Sequence, residues 1–83
     1  MFFTYILQSE KSSRYYIGST ENLDKRLIIH NSGKVKSTRN KGPWVLKYFE
    51  QFKTRTEAVR RELEIKGYKG GNSFKELMVR ASR

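Results

Sequence analysis

Phe2-Phe3-Thr4-Tyr5-Ile6-Leu7-Gln8 opens the chain with large apolar and aromatic residues, and Tyr15-Tyr16-Ile17-Gly18 follows it after a polar segment. Bulky and β-branched residues in short runs are typical of β-strands. The polar residues between the two runs, from Glu10 to Ser13, are typical of a turn. The sequence therefore predicts an antiparallel hairpin that brings Tyr5 and Tyr16 onto neighbouring strands.

One further strand and three helices are predicted after the hairpin. Asn22 or Thr20 can cap a helix that ends near His30 or Asn31, and residues 44–52 have the composition of a third strand. Thr54 and Glu57 form a capping box for a helix that ends near residue 67, and a short terminal helix begins at residue 72. The order β-β-α-β-α-α predicts an α+β fold, a three-stranded antiparallel sheet with helices packed on it. Residues 1–83 are expected to form a single domain.

The charge balance of the chain favours a polyanionic partner. Eighteen lysines and arginines stand against eight acidic residues, a net charge of +10 in 83 residues, and nucleic acid is the usual partner of so basic a protein. The absence of cysteine excludes disulfides and thiolate zinc sites. Without a membrane span or signal-peptide pattern, a cytoplasmic location is expected. No motif indicates a nucleotide or other small-molecule cofactor.

A basic loop is predicted between the first helix and the third strand. Residues 31–42 are polar and contain glycine, and Pro43 marks the end of this segment. Its four basic residues are expected to hold backbone phosphates without reading bases. They are Lys34, Lys36, Arg39 and Lys41.

The first helix places two functional side chains beside its apolar stripe. At about 100° per residue, Arg26 and His30 fall within about 60° of Leu23. The guanidinium of arginine suits bidentate contact with a phosphate, although an arginine at this boundary can also cover apolar surface with its stem. His30 is either a catalytic residue or a packing partner at the helix end.

Glu62 is the unusual carboxylate of the second helix. It shares a face with Ala58 and Ile65, whereas Glu57 and Glu64 lie on the opposite face. An ionised carboxylate on an apolar face requires compensation by a cation, a metal or hydrogen bonds. Two interpretations remain open: a metal ligand, or an ion pair with Arg26 or another basic residue.

The order and spacing of Tyr5, Tyr16, Arg26 and Glu62 resemble those of the GIY-YIG nuclease family, in particular its short stand-alone members of the UPF0213 type. Tyr16 and Arg26 keep the family spacing, and His30 lies four residues after Arg26, as in part of the family. Only the tyrosine of the first triplet is kept in Phe3-Thr4-Tyr5.

The resemblance implies a metal-dependent endonuclease that hydrolyses DNA, with a target defined by structure rather than by base sequence. Glu62 would hold one Mg²⁺ or Mn²⁺ ion, and Arg26 would bind the phosphate. Tyr5, or Tyr16 through a shared network, would help to deprotonate the attacking water, which requires a phenol pKa about three units below its usual value. The alternative is a non-catalytic nucleic-acid-binding module, in which these residues are dispersed or Arg26 and Glu62 form a closed pair. The oligomeric state is left open.

Overall fold

The computed structural model describes residues 1–81 and contains three strands and three helices. The strands are β1 (Phe2–Ser9), β2 (Tyr15–Thr20) and β3 (Trp44–Phe52). The helices are α1 (Leu23–Asn31), α2 (Arg55–Gly67) and α3 (Asn72–Ala81). The predicted α+β fold and its element order are confirmed. No helix within residues 1–81 is long and apolar enough to cross a membrane.

The sheet has the strand order β2-β1-β3, and both neighbours of β1 run antiparallel to it. In the β1–β2 hairpin Tyr5 lies opposite Gly18, and Leu7 lies opposite Tyr16. Directly opposed residues of an antiparallel pair point to the same face of the sheet. Tyr5 and Tyr16 therefore lie on neighbouring strands, as predicted, and share one face of the sheet, of which β2 forms one edge.

Helices cover both faces of the sheet. On the Tyr5 face, Tyr5, Leu7 and Trp44 form a core that is partly covered by Leu23 and Leu27 of α1. On the other face, Ile6 packs against residues of α2 and α3, namely Ile65, Phe74 and Leu77. Because successive side chains of a strand point to opposite faces, α1 lies on one side of the sheet and α2 and α3 lie on the other.

The helix caps follow the predicted chemistry. The Asn22 side chain, rather than that of Thr20, accepts the backbone N–H of Lys25 at the start of α1. Thr54 and Glu57 form the predicted capping box of α2. In α3 Phe74 and Leu77 are buried, so this helix docks on the sheet as expected.

The segment between α1 and β3 is held to the sheet at both of its ends. The Asn31 amide donates to the Trp44 carbonyl at 3.1 Å and accepts the Trp44 backbone N–H at 2.7 Å. On β1, the buried Ser9 hydroxyl donates to the carbonyl of Lys41. Residues 32–43, here called the basic loop, therefore have a fixed path although they contain neither helix nor strand.

Candidate active site

Gly18 creates the space in which the Tyr5 ring lies. A Cβ atom at residue 18 would lie 2.5 Å from the Tyr5 hydroxyl oxygen and 2.8 Å from Cζ of the same ring. Both distances are shorter than any van der Waals contact. The absence of a side chain on this edge strand therefore lets the phenol of Tyr5 lie over β2.

Gly18→Ala is expected to destabilise the protein by about 1–3 kcal/mol, because the new methyl group overlaps a buried ring that cannot move freely. Gly67→Ala is the matched control. A Cβ atom there has no neighbour within 4 Å, and alanine in a helix is favoured over glycine by about 1 kcal/mol. Urea denaturation measures both effects. Equal stability of Gly18→Ala and the parent would contradict the close approach of Tyr5.

Tyr5 joins two residues of α1 through its hydroxyl group. The Tyr5 oxygen lies 3.0 Å from Nε2 of His30, and it accepts a hydrogen bond from Nε of Arg26 at 3.4 Å. Tyr5 is 2% exposed and His30 is 1% exposed, whereas Arg26 is partly exposed. The structure thus brings these three predicted site residues into direct contact, with the guanidinium on the solvent side.

Tyr16 completes this cluster by ring contacts. Its ring stacks on Tyr5 with 6.4 Å between centroids, and it lies 4.7 Å from the imidazole of His30. Tyr15 points to the other face of the sheet, and its ring contacts Phe74 of α3. The four candidate residues on the Tyr5 face, Tyr5, Tyr16, Arg26 and His30, therefore form one continuous group.

Burial determines the protonation of the cluster. It raises the pKa of the Tyr5 phenol, which is the opposite of the downward shift that a phenolate base requires. The hydrogen bond to Tyr5 raises the pKa of Arg26, so the guanidinium stays charged. Burial and then the charge of Arg26 lower the pKa of His30 to about 4. At neutral pH His30 is uncharged and Tyr5 carries its proton.

The lowered pKa of His30 predicts acid sensitivity. Imidazole has a pKa of about 6.5 in unfolded chains, so between that value and about 4 the unfolded state binds more protons than the folded state. Stability present above pH 6.5 is therefore lost as the pH falls to 4, by an amount on the order of 3 kcal/mol. Urea denaturation at several pH values should show this loss, and His30→Gln should reduce it.

His30 is the single histidine of the chain, so its titration can be followed by NMR without assignment by mutation. A midpoint near pH 4 is expected. A midpoint near 6.5 would contradict a buried, neutral imidazole.

Glu62 reaches the same edge of the sheet from the opposite face. Its carboxylate accepts a hydrogen bond from the Ser19 hydroxyl at 2.8 Å and pairs with Nζ of Lys66 at 2.6 Å. The Glu62 side chain is 16% exposed. Within residues 1–81 no ion pair joins it to Arg26, and its basic partner is Lys66.

Ser19, which contacts Glu62, is next to Gly18, and the Tyr5 ring lies over Gly18. Glu62 and the Tyr5 cluster therefore approach β2 from the two faces of the sheet. The negative charge of Glu62 contributes, as a minor cause, to the raised pKa of Tyr5. Ser19 and Arg26 also line one open cleft, together with Lys25 and Arg55. The edge strand therefore connects the predicted metal ligand to the predicted phosphate ligand.

Several residues of this site had no signal in the sequence. Ser19, Lys25 and Arg55 line the cleft, but an isolated serine on a strand and two exposed basic residues resemble many others in this chain. Arg55 pairs with Glu21 at 3.8 Å and lies over the ring of Phe2. The β2 strand and the start of α2 place these residues together in the folded chain.

The four predicted basic residues of the loop have exposed side chains, and the loop contacts the cluster through a residue that was not predicted. The Thr38 hydroxyl lies 2.9 Å from Nδ1 of His30 and is buried. Among the basic residues, Arg39 donates from Nε to the carbonyl of Gly33 at 2.9 Å. The loop therefore adds positive charge beside the His30 end of the cluster.

Comparison with known proteins gives consistent matches. A family model described as the GIY-YIG catalytic domain matches residues 1–75. A UPF0213 protein of Staphylococcus haemolyticus is 38% identical over 79 residues, which are 94% of this chain and 95% of that protein. One from Clostridium perfringens is 46% identical over 67 residues, or 80% and 71% of the two chains. The solution NMR structure of a UPF0213 protein from Bacillus halodurans aligns with 95% of this chain and 83% of its own, at a TM-score of 0.54 and 36% identity.

Proposed function

Because the chain belongs to the GIY-YIG nuclease family, we propose that it is a divalent-metal-dependent endonuclease that hydrolyses phosphodiester bonds in DNA. The observation that carries the proposal is the meeting of Tyr5, His30 and Arg26 at the β2 edge, with Glu62 joined to that edge through Ser19. Residues 1–83 would act as one nuclease domain.

The donors around Glu62 fit a hard, weakly held cation. Within residues 1–81 no group of three or more histidine, cysteine or acidic residues forms a cage, and a lone carboxylate does not suit a closed zinc site. Mg²⁺ is commonly held by one or two carboxylates together with water and substrate phosphate. The Lys66 ammonium pairs with this carboxylate, so the Glu62 side chain already attracts a positive charge. Glu62 would hold the Mg²⁺ or Mn²⁺ ion, which when bound would stabilise charge on the phosphate.

Arg26 is the residue proposed to bind the scissile phosphate. Its guanidinium lies at the cleft and forms no ion pair with a carboxylate of the described chain. A permanently charged, planar donor suits the phosphate in its ground state and the additional charge of the transition state. Lys25 lines the same cleft and would contact a neighbouring phosphate.

Tyr5 and His30 are proposed to move the proton of the attacking water. Since burial keeps the phenol protonated, Tyr5 would transfer its proton to Nε2 of His30 as it accepts one from water. The resulting hydroxide would attack phosphorus, and the leaving oxygen would depart with the electron pair of the broken P–O bond and take a proton from solvent water. Burial and, to a smaller extent, the charge of Arg26 lower the pKa of His30. A phosphate paired with Arg26 would offset the effect of that charge and make the imidazole a better acceptor.

The test of the proposal is incubation of the purified chain with linear, nicked and branched DNA and with matched RNA. Mg²⁺ and Mn²⁺ are added in parallel reactions, and a chelator is the control. Cleavage of DNA that requires the cation supports the proposal, and preference for branched or nicked substrates would identify a structure-selective enzyme. Binding without cleavage of every substrate would favour the alternative, a non-catalytic nucleic-acid-binding module.

DNA binding is expected to weaken strongly with salt, because each phosphate neutralised on duplex DNA steepens the logarithmic salt dependence by about 0.9. Replacing the loop lysines Lys34, Lys36 and Lys41 by glutamine should flatten this slope without unfolding the domain. Arg39 is kept in this variant, since its side chain also holds the loop. Fluorescence anisotropy at several salt concentrations measures the slope.

The matched control removes the same charge from the opposite side of the sheet. The exposed lysines used for this control are Lys47, Lys69 and Lys75. Their replacement by glutamine should reduce the salt dependence of DNA binding less than the loop variant does. If the DNA affinity of the parent protein does not change with salt, contact with the phosphates is contradicted. Equal effects of the two triple variants would contradict a role for the loop.

A further inference from the structure

Several hydrogen bonds fix Thr38 on the buried side of the basic loop. Its hydroxyl lies 2.9 Å from Nδ1 of His30, and its carbonyl accepts the indole N–H of Trp44 at 3.1 Å. Its backbone N–H donates to the carbonyl of Val35 at 3.1 Å. Thr38 is 1% exposed in a segment whose basic side chains face solvent. The Thr38 hydroxyl therefore faces the interior and His30 rather than solvent.

Both ring nitrogens of His30 have a partner, but a neutral imidazole carries only one N–H. Nδ1 faces the Thr38 hydroxyl, and Nε2 faces the Tyr5 hydroxyl. The position of the single proton therefore decides which nitrogen can accept the proton of Tyr5. The hydrogen bonds around the two hydroxyl groups discriminate between the two tautomers.

One tautomer satisfies every group. The Thr38 hydroxyl can donate to the carbonyl of Val35 at 3.4 Å and accept from Nδ1–H of His30. Nε2 is then free to accept the Tyr5 proton, and the Tyr5 oxygen accepts from Nε of Arg26.

The other tautomer leaves a proton without a partner. If Nε2 carried the hydrogen, Tyr5 would accept from both His30 and Arg26. Its own O–H would then have no acceptor among residues 1–81. A buried donor without a partner is costly, and Tyr5 is buried.

We propose that Thr38 is a positioning residue that holds His30 as the Nδ1–H tautomer, so that Nε2 is aimed at the proton of Tyr5. Hydrogen bonding at one ring nitrogen commonly fixes the tautomer at the other. The loop that carries Lys36 and Arg39 on its surface would thereby also set the proton acceptor beneath it. The kinetic consequence rests on the proposed nuclease function, whereas the tautomer itself does not.

The tautomer is measured by long-range ¹H–¹⁵N NMR of the parent protein, in which His30 gives the one imidazole spectrum. The expected result is protonated Nδ1 and unprotonated Nε2. Thr38→Val, which removes the hydroxyl and keeps a similar shape, should give a mixture of tautomers. Thr38→Ser should restore the parent spectrum. A parent spectrum with protonated Nε2, or an unchanged spectrum in Thr38→Val, would overturn the proposal. If Thr38→Val does not fold, Thr38→Ala replaces it in the same comparison.

Cleavage kinetics give the second readout. Thr38→Val should lower kcat by about tenfold with little change in KM, the effect of losing one ordinary hydrogen bond in the transition state. Thr38→Ser should recover the rate, and Ser37→Ala, which changes the exposed neighbouring hydroxyl, should match the parent. Equal losses in Thr38→Val and Thr38→Ser would also overturn the proposal. If the parent cleaves no substrate, the proposed function fails while the NMR result still decides the tautomer.

Discussion

Glu62→Gln is expected to reduce metal-dependent cleavage by about 10²-fold or more while leaving the fold and DNA binding nearly unchanged. The amide keeps the shape of the side chain but loses the charge that attracts a divalent cation, and charge stabilisation by such a cation contributes several kcal/mol to phosphoryl chemistry. Single-turnover cleavage over a range of Mg²⁺ and Mn²⁺ concentrations measures the loss.

The structural consequence of Glu62→Gln should be small. Ser19 can still donate to the amide oxygen, and Lys66 is 49% exposed and can be hydrated when its ion pair is lost. Because the Lys66 side of the pair is half-exposed, its loss should cost about 1 kcal/mol, near the upper end of the range for surface pairs.

Glu64→Gln is the matched control, because Glu64 also forms an ion pair, with Arg61, on the same helix and is 56% exposed. A large fall in melting temperature for Glu62→Gln would contradict the assignment of Glu62 as a metal ligand. Equal activity loss at the two positions would also contradict it.

Tyr5→Phe is expected to lower the cleavage rate by about 10²–10⁴-fold, the range for loss of a positioned acid or base. The substitution removes the proton that faces Nε2 of His30 and the acceptor of Nε of Arg26. The ring still lies over Gly18, so its packing is retained. The loss of the hydroxyl leaves Nε2 of His30 without a partner, which costs about 1–3 kcal/mol of stability. Rapid-quench cleavage under saturating DNA measures the rate.

Tyr15→Phe provides the comparison for Tyr5→Phe. Tyr15 lies on the other face of the sheet, where its ring contacts Phe74, so its hydroxyl is remote from the proposed chemistry. Its loss should leave the rate within about twofold of the parent, since surface changes away from special features have small effects. A Tyr5→Phe protein that cleaves as fast as the parent would remove Tyr5 from the mechanism.

The fold was predictable because its local signals agree with one another. The run of apolar and aromatic residues in 2–8, the Asn22 cap and the Thr54–Glu57 capping box each specify one element, and all three are confirmed. The helical period also placed Arg26 and His30 beside the apolar stripe of α1. The sequence could not tell which face of the sheet each helix covers, because connections of similar length reach either face.

The parts of the site that escaped prediction depend on tertiary contacts. Thr38 lies in a polar segment without periodicity, and only its burial beside His30 distinguishes it from other hydroxyl residues. The upward shift of the Tyr5 pKa likewise arises from burial in the folded chain. Glu62 was predicted to lie on an inward face. Its link to the β2 edge through Ser19 required the register of the strands and the packing of α2.

The central claim is that Tyr5 and Glu62, which approach β2 from opposite faces, serve one active site. Single-turnover cleavage of one DNA substrate by the parent, Tyr5→Phe, Glu62→Gln and the double variant tests it most directly. Residues that act in one catalytic unit give strongly non-additive losses, so the double variant is predicted to be about as slow as the slower single variant. Losses that multiply, or a parent that cleaves no DNA with Mg²⁺ or Mn²⁺, would contradict a single nuclease site.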